Sequence, residues 1–217
     1  MRSTLVLAML LGSFSLFSAN INLETWEIDK QHTLASFTIG HLGISRVPGL
    51  MNIESGELKV DPNNIASADF EVKMDVRTLT TGVSARDNHV KSKDFLDVEK
   101  FPYIKFKSIA IREDKANNKM LIDGNLTIKD KTKAITLIAN PISEEVALDK
   151  NGMSRIVRGT VATTKINRFD FGIDYGKSTG EPSLLSKIID GGVGQEIDIF
   201  ISIELVKKEA IVKKAKK

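Results

Sequence analysis

Glu196-Ile197-Asp198-Ile199-Phe200-Ile201-Ser202-Ile203-Glu204-Leu205 decides the fold class of this chain. Its five aliphatic side chains, Ile197, Ile199, Ile201, Ile203 and Leu205, fall on every second position, and the positions between them are polar apart from Phe200. Only the two-residue repeat of an extended strand puts all five on one face. Phe70-Glu71-Val72-Lys73-Met74-Asp75-Val76-Arg77 passes the same test without a fault. From Met120 to Ile128 one face carries Met120, Ile122, Gly124, Leu126 and Ile128 against Asp123, Asn125 and Thr127. Weaker alternation marks His32 to Ile39, Gly56 to Val60, Ile104 to Ile111, Ala134 to Ala139 and Ile156 to Thr163, which brings the expected count to eight strands.

The separators are turn material: Val47-Pro48-Gly49, Asp61-Pro62-Asn63-Asn64, Asp114 to Asn118, Lys129-Asp130-Lys131 and Asp149-Lys150-Asn151-Gly152. Short connections between alternating strands imply antiparallel neighbours, and no stretch has the length and period of a crossover helix. A dinucleotide fold is thereby disfavoured. Arg86 to Glu99 and Ser183 to Ile189 are the two places where short helices are expected. An all-β chain of this kind is either a sandwich or a closed barrel, and periodicity alone does not separate them. The inward candidates are Ile, Val, Leu, Met and Phe, so a ligand inside a barrel would be apolar.

Composition narrows the function. With 217 residues, 41% apolar and 27% charged, the chain is one ordinary folded domain with extensions. The absence of cysteine excludes disulfides, thiolate metal sites and a cysteine nucleophile. The net charge of +3 is carried by the end of the chain, because residues 206–217 hold six lysines and one glutamate; the body is acidic, which argues against a nucleic-acid partner. We read 206–217 as a solvated basic tail. At the other end, Met1 and Arg2 precede the apolar stretch Thr4 to Phe17 and the small residues Ser18 and Ala19. Such a stretch is short for a membrane span, which takes about 20 residues, and fits a secretory signal peptide over 1–19. The expected organisation is a signal peptide (1–19), a barrel domain (20–205) and a tail (206–217), with the mature protein in a periplasm.

Catalytic constellations are scarce. No Gly-x-Ser-x-Gly elbow occurs, and Asp87, Asp94 and Asp170 have no evident serine partner. The run Gly191-Gly192-Val193-Gly194 lacks the Lys-Ser/Thr of a phosphate loop and reads as a turn. His32, His41 and His89 define the rival function, a metal-dependent enzyme in which the three converge, with an acid such as Asp87. Arg86-Asp87 and the run Asn167 to Gly172 mix charge and aromatic character where strands meet loops. The expectation there is an ion-paired network closing a barrel end, alongside a ligand head-group site.

The order of motifs carries more. Trp26-x-Ile28-Asp29-x-x-His32, Phe37-x-Ile39-x-His41-Leu42-Gly43, Arg86-Asp87-x-His89-Val90-x-Ser92-x-Asp94-Phe95-Leu96-Asp97, Phe101-Pro102-Tyr103-Ile104-x-Phe106-x-Ser108, Gly124-Asn125-Leu126-Thr127-Ile128-Lys129 and Ile166-Asn167-Arg168-x-Asp170-Phe171-Gly172-Ile173 follow one another from about Trp26 to Leu205. Together they resemble the YceI family of exported, lipocalin-like proteins. The departures are Thr33, Val90 and the glycine-free turn Lys129 to Lys133. The resemblance implies an eight-stranded antiparallel lipocalin-like β-barrel, a periplasmic location, no established enzymatic activity, and a polyisoprenoid or similar amphiphilic lipid in an apolar pore. An isoprenoid quinone, a polyprenyl phosphate and a fatty-acid amide all fit that description.

Period two assigns the pore lining to Phe37, Ile39, Val72, Met74, Phe106, Leu126, Ile128, Ile199 and Ile201. The motifs offer His32, His41, Arg86, Asn167 and Arg168 as head-group contacts near a mouth, with no metal ligand, catalytic residue or cofactor other than the bound lipid. The expected partners are that ligand, a membrane touched transiently, and a second copy paired through an exposed strand edge or an outward residue such as Phe200.

Overall fold

The computed structural model describes residues 23–150, 153–177 and 192–208. The expected leader, the helix at Ser183–Ile189 and the tail beyond residue 208 lie outside them. Ten strands run in the order β1 (Glu24–Ile28), β2 (Leu34–His41), β3 (Ser45–Asp61), β4 (Asn64–Thr80), β5 (Tyr103–Asp114), β6 (Lys119–Ile128), β7 (Lys131–Ala139), β8 (Val146–Lys150), β9 (Met153–Asn167) and β10 (Val193–Lys207). Helix α1 (Ser84–Lys91) follows β4, and a 3₁₀ turn (Arg168–Phe171) follows β9.

All pairings are antiparallel, and the path β2-β3-β4-β5-β6-β7-β9-β10 returns to β2. The sheet is a ring of eight strands, the barrel rather than the sandwich. Its thinnest join is between β7 and β9, which pair only at Ile138 with Thr163 and at Ala139 with Ala162. The two further strands serve one end of the ring. β1 lies between β10 and β3 where β2 has run out, and β8 lies along β9. Each has five residues, too few for alternation to stand out.

Two expectations change here. Val47-Pro48-Gly49 is part of β3, not a turn. β4 stops at Thr80, the partner of Leu50, so Pro48 takes no bond from the β3–β4 ladder by lacking an N–H. Helix α1 is shorter than Arg86 to Glu99: it buries no residue, and both the N–H and the hydroxyl of Ser92 bond back to the His89 carbonyl and end it.

Burial along β10 shows how the interior is divided. Ile203 and Leu205 are buried in a core that includes Trp26, which is 0% exposed and donates Nε1–H to Glu24 Oε2 at 3.2 Å. Toward the start of the strand, Ile197, Ile199 and Ile201 face open space. Phe200, on the outer face, is 46% exposed. β10 also continues past the expected boundary at Leu205. Lys207 Nζ bonds Glu24 at 2.6 Å and Glu145 at 3.3 Å, and Lys208 Nζ bonds Glu27 at 2.7 Å and Glu57 at 3.0 Å. The first two lysines of the tail belong to the barrel.

Candidate ligand-binding cavity

Because successive side chains on a strand point to opposite faces, each strand of the ring contributes every second residue to the interior. Near one end these residues enclose a cavity of about 300 Å³. Phe37, Ile39, Val72, Met74, Phe106, Leu126, Ile128, Ile199 and Ile201 all stand on its wall. Met51, Ile104, Leu137, Ile166 and Ile197 share it and continue the same alternating faces. Phe95 and Leu96 also reach it, from the turns after α1, where no period marks them.

The polar groups on the wall include Thr81, His41, Arg86, His89, Arg168 and Tyr175. They gather where β2, β4 and β9 end and β10 begins, which makes that end the mouth. Arg86 donates Nε–H to Thr81 Oγ1 at 2.7 Å and Nη2–H to the Thr81 carbonyl at 2.9 Å. Its neighbour Asp87 does not pair with it. The Asp87 carboxylate accepts from the hydroxyl and N–H of Thr81, both at 2.6 Å, and from Thr80 Oγ1 at 2.9 Å. Those bonds, the Thr81 hydroxyl foremost, hold the Asp87 carboxyl below its ordinary pKa despite some desolvation. His89 lies 3.0 Å from Asp94 Oδ2 and stands edge-on to the rings of Phe95 and Tyr175 at 5.1 and 5.0 Å.

Arg168 is 1% exposed. It donates to the carbonyls of Gly194, Ile173 and Val193, and its guanidinium lies 4.4 Å from the centre of the Phe169 ring. Burial lowers its pKa, yet a guanidinium remains protonated at any physiological pH. Among the described residues neither Arg86 nor Arg168 has a carboxylate partner, so the expected ion-paired network is replaced by hydrogen bonds to neutral oxygens.

Two residues offered by the motifs sit differently. Asn167 is not on the wall; its Oδ1 accepts from the Phe169 N–H at 2.9 Å and caps the 3₁₀ turn that carries Arg168. His32 lies in the β1–β2 turn at the opposite end, beside Asp29 and Glu204, and does not line the cavity. Its distance from His41 and His89, which do line the cavity, also undoes the three-histidine metal centre. Tyr175 has no periodic neighbours, and only the fold reveals its place at the mouth.

A closed eight-stranded antiparallel barrel, apolar within and polar at one mouth, is lipocalin-like. The YceI-like domain matches residues 26–205, and the chain belongs to that family. A UPF0312 protein of Vibrio cholerae is 34% identical over 174 residues, covering 80% of this chain and 89% of that protein. Among solved structures, BcnA of Burkholderia cenocepacia aligns with a TM-score of 0.64 at 20% identity, over 82% of this chain and 98% of its own. A polyisoprenoid binding domain from Saccharophagus degradans, described as implicated in plant cell wall breakdown, aligns with a TM-score of 0.55 at 11% identity, over 84% and 98%. At these identities the two structures speak to the fold alone.

Proposed function

We propose that the protein is a periplasmic binding protein that sequesters a long-chain isoprenoid or similar amphiphilic lipid, and that it carries no catalytic role. The observation behind this reading is the cavity: a continuous aliphatic and aromatic wall on the strands, with guanidinium, imidazole and phenol groups at one mouth. Each methylene transferred from water into such a wall contributes about 0.8 kcal/mol, so chain length sets affinity. The mouth then orients the head group, with His41, Arg86 and Arg168 as its contacts. Family membership supports the ligand class, and the polyisoprenoid binding domain among the structural neighbours shares the fold. The apolar leader at 1–19 supports export. The same reading includes transient contact with the membrane from which the lipid comes, and pairing of two copies through outward Phe200.

Native mass spectrometry of protein purified from its own cell envelope tests the proposal. An added mass matching an isoprenoid quinone, a polyprenyl phosphate or a fatty-acid amide is expected. Protein that arrives empty and takes up none of these when they are offered overturns it.

A further inference from the structure

At the end of the barrel away from the mouth, the β1–β2 turn brings Asp29 and His32 against Glu204 of β10. Backbone bonds brace the three. Asp29 N–H donates to the Glu204 carbonyl at 2.9 Å, and His32 N–H donates to the Asp29 carbonyl at 3.3 Å. The Thr33 hydroxyl accepts from the Glu204 N–H at 2.9 Å and donates to the Glu204 carbonyl at 3.3 Å. From this frame His32 Nδ1 stands 3.1 Å from Asp29 Oδ2 and 3.5 Å from Glu204 Oε1, and one ligand atom from each residue lies within 4.8 Å of the others. The Asp29 side chain is only 8% exposed, while His32 is 56% exposed and open to an arriving ion.

We propose that Asp29, His32 and Glu204 form a binding site for a divalent transition metal ion such as zinc, with Arg155 as a built-in competitor. One imidazole nitrogen and two carboxylates make a mixed donor set that suits zinc, whereas calcium and magnesium take oxygen throughout. Three protein ligands leave a fourth position for water. Arg155 Nη2 donates to Asp29 Oδ2 at 2.7 Å and so occupies with its charge the oxygen the ion needs. That side chain is 47% exposed and borders a surface cleft with Glu27, Lys30 and Gln31, into which it can swing. A bound ion would clip the β1–β2 turn to β10 and seal the end of the barrel opposite the ligand. The site shares no residue with the cavity wall and stands whether or not a lipid is bound.

The test uses the full-length protein, stripped with a chelator and dialysed against zinc chloride at submillimolar concentration, with metal content and melting temperature both measured. One zinc per chain and a higher melting temperature are expected. His32→Ala and Glu204→Gln should each weaken zinc binding by roughly tenfold or more, the scale on which ligand and supporting groups act. Arg155→Gln should strengthen it, and His41→Ala and His89→Ala should leave it unchanged, with circular dichroism checking the fold of each variant. No zinc taken up by the folded wild-type protein, uptake unaffected by His32→Ala, weaker uptake in Arg155→Gln, or equal binding of calcium would each overturn the proposal.

Discussion

The ring of Phe37 lies across the backbone of Gly49, its cross-strand partner in β3, in the space that a side chain at position 49 would fill. The ring of Phe106 likewise fills the side-chain space of Gly124 of β6, although the register partner of Gly124 is Ser108. Glycine is a weak strand residue, and an aromatic ring laid over it restores the missing packing. In this barrel both rings also stand on the cavity wall.

Replacing Gly49 by alanine should therefore cost about 1–3 kcal/mol, the usual range for an overfilled site, and push Phe37 into the cavity. Thermal melting reads the first effect and the capacity for a long-chain lipid reads the second. An alanine variant that matches the wild type in both would show that Phe37 has an equally good alternative position.

Met74 and Ile201 face the cavity from β4 and β10. Converting both to glutamate places two carboxylates on an apolar wall, at a cost of several kcal/mol unless each finds a partner. Loss of lipid retention in a double variant that still shows a β-sheet circular dichroism spectrum is the expected result. Full retention would mean that the chain of the ligand does not pass these residues.

Asp87 supplies a pH dependence. Its folded-state pKa is depressed, so its contribution to stability is complete above its unfolded value, roughly 4, and is lost as pH falls through the folded value. Asp87→Asn should melt below the wild type at neutral pH, and the two curves should converge in acid. A difference that persists unchanged well below pH 4 would assign the effect to the amide's geometry and not to the charge.

Lys207 reaches both Glu24 and Glu145 and lies near the face of Trp26, 5.3 Å from the ring centre. Lys207→Ala should lower stability by about 1 kcal/mol or less, a shift of roughly 2–4 °C, whereas ending the chain after Lys208 should leave melting unchanged. The reverse ranking would place the important contacts in the last nine residues.

Much of the barrel is legible in the sequence because each strand has one wet face and one dry one. Met74 and Val72 announce their direction through Lys73 and Asp75, and Ile199 and Ile201 do so through Asp198 and Ser202. What stays hidden depends on contacts between distant segments. Gly49 reads as a turn residue until the ring of Phe37 is seen to occupy its side-chain space. His32 shares a motif with Trp26 and looks like a mouth residue, yet the β1–β2 turn folds toward Glu204, 172 positions later in the chain. The run from Asn167 to Gly172 reads as part of an ion-paired network, but the 3₁₀ turn aims the Arg168 guanidinium at carbonyls of β10. Charge spacing along the chain does not specify where a turn will aim a side chain.

A ring holds only as firmly as its least-laced join, and here that join is the two residue pairs between β7 and β9. Every other neighbouring pair of strands in the ring shares more rungs, and this join is helped by the Asn140 N–H to the Val161 carbonyl and by the Thr164 hydroxyl to the Thr136 carbonyl, so it is the place where a loosening fold is expected to part first. Opening there leaves β7 bonded to β6 and β9 bonded to β10, so the wall unrolls as one intact sheet. The cavity is a property of closure, not of any strand. Parting this one join would remove it while the other ladders of the ring persist.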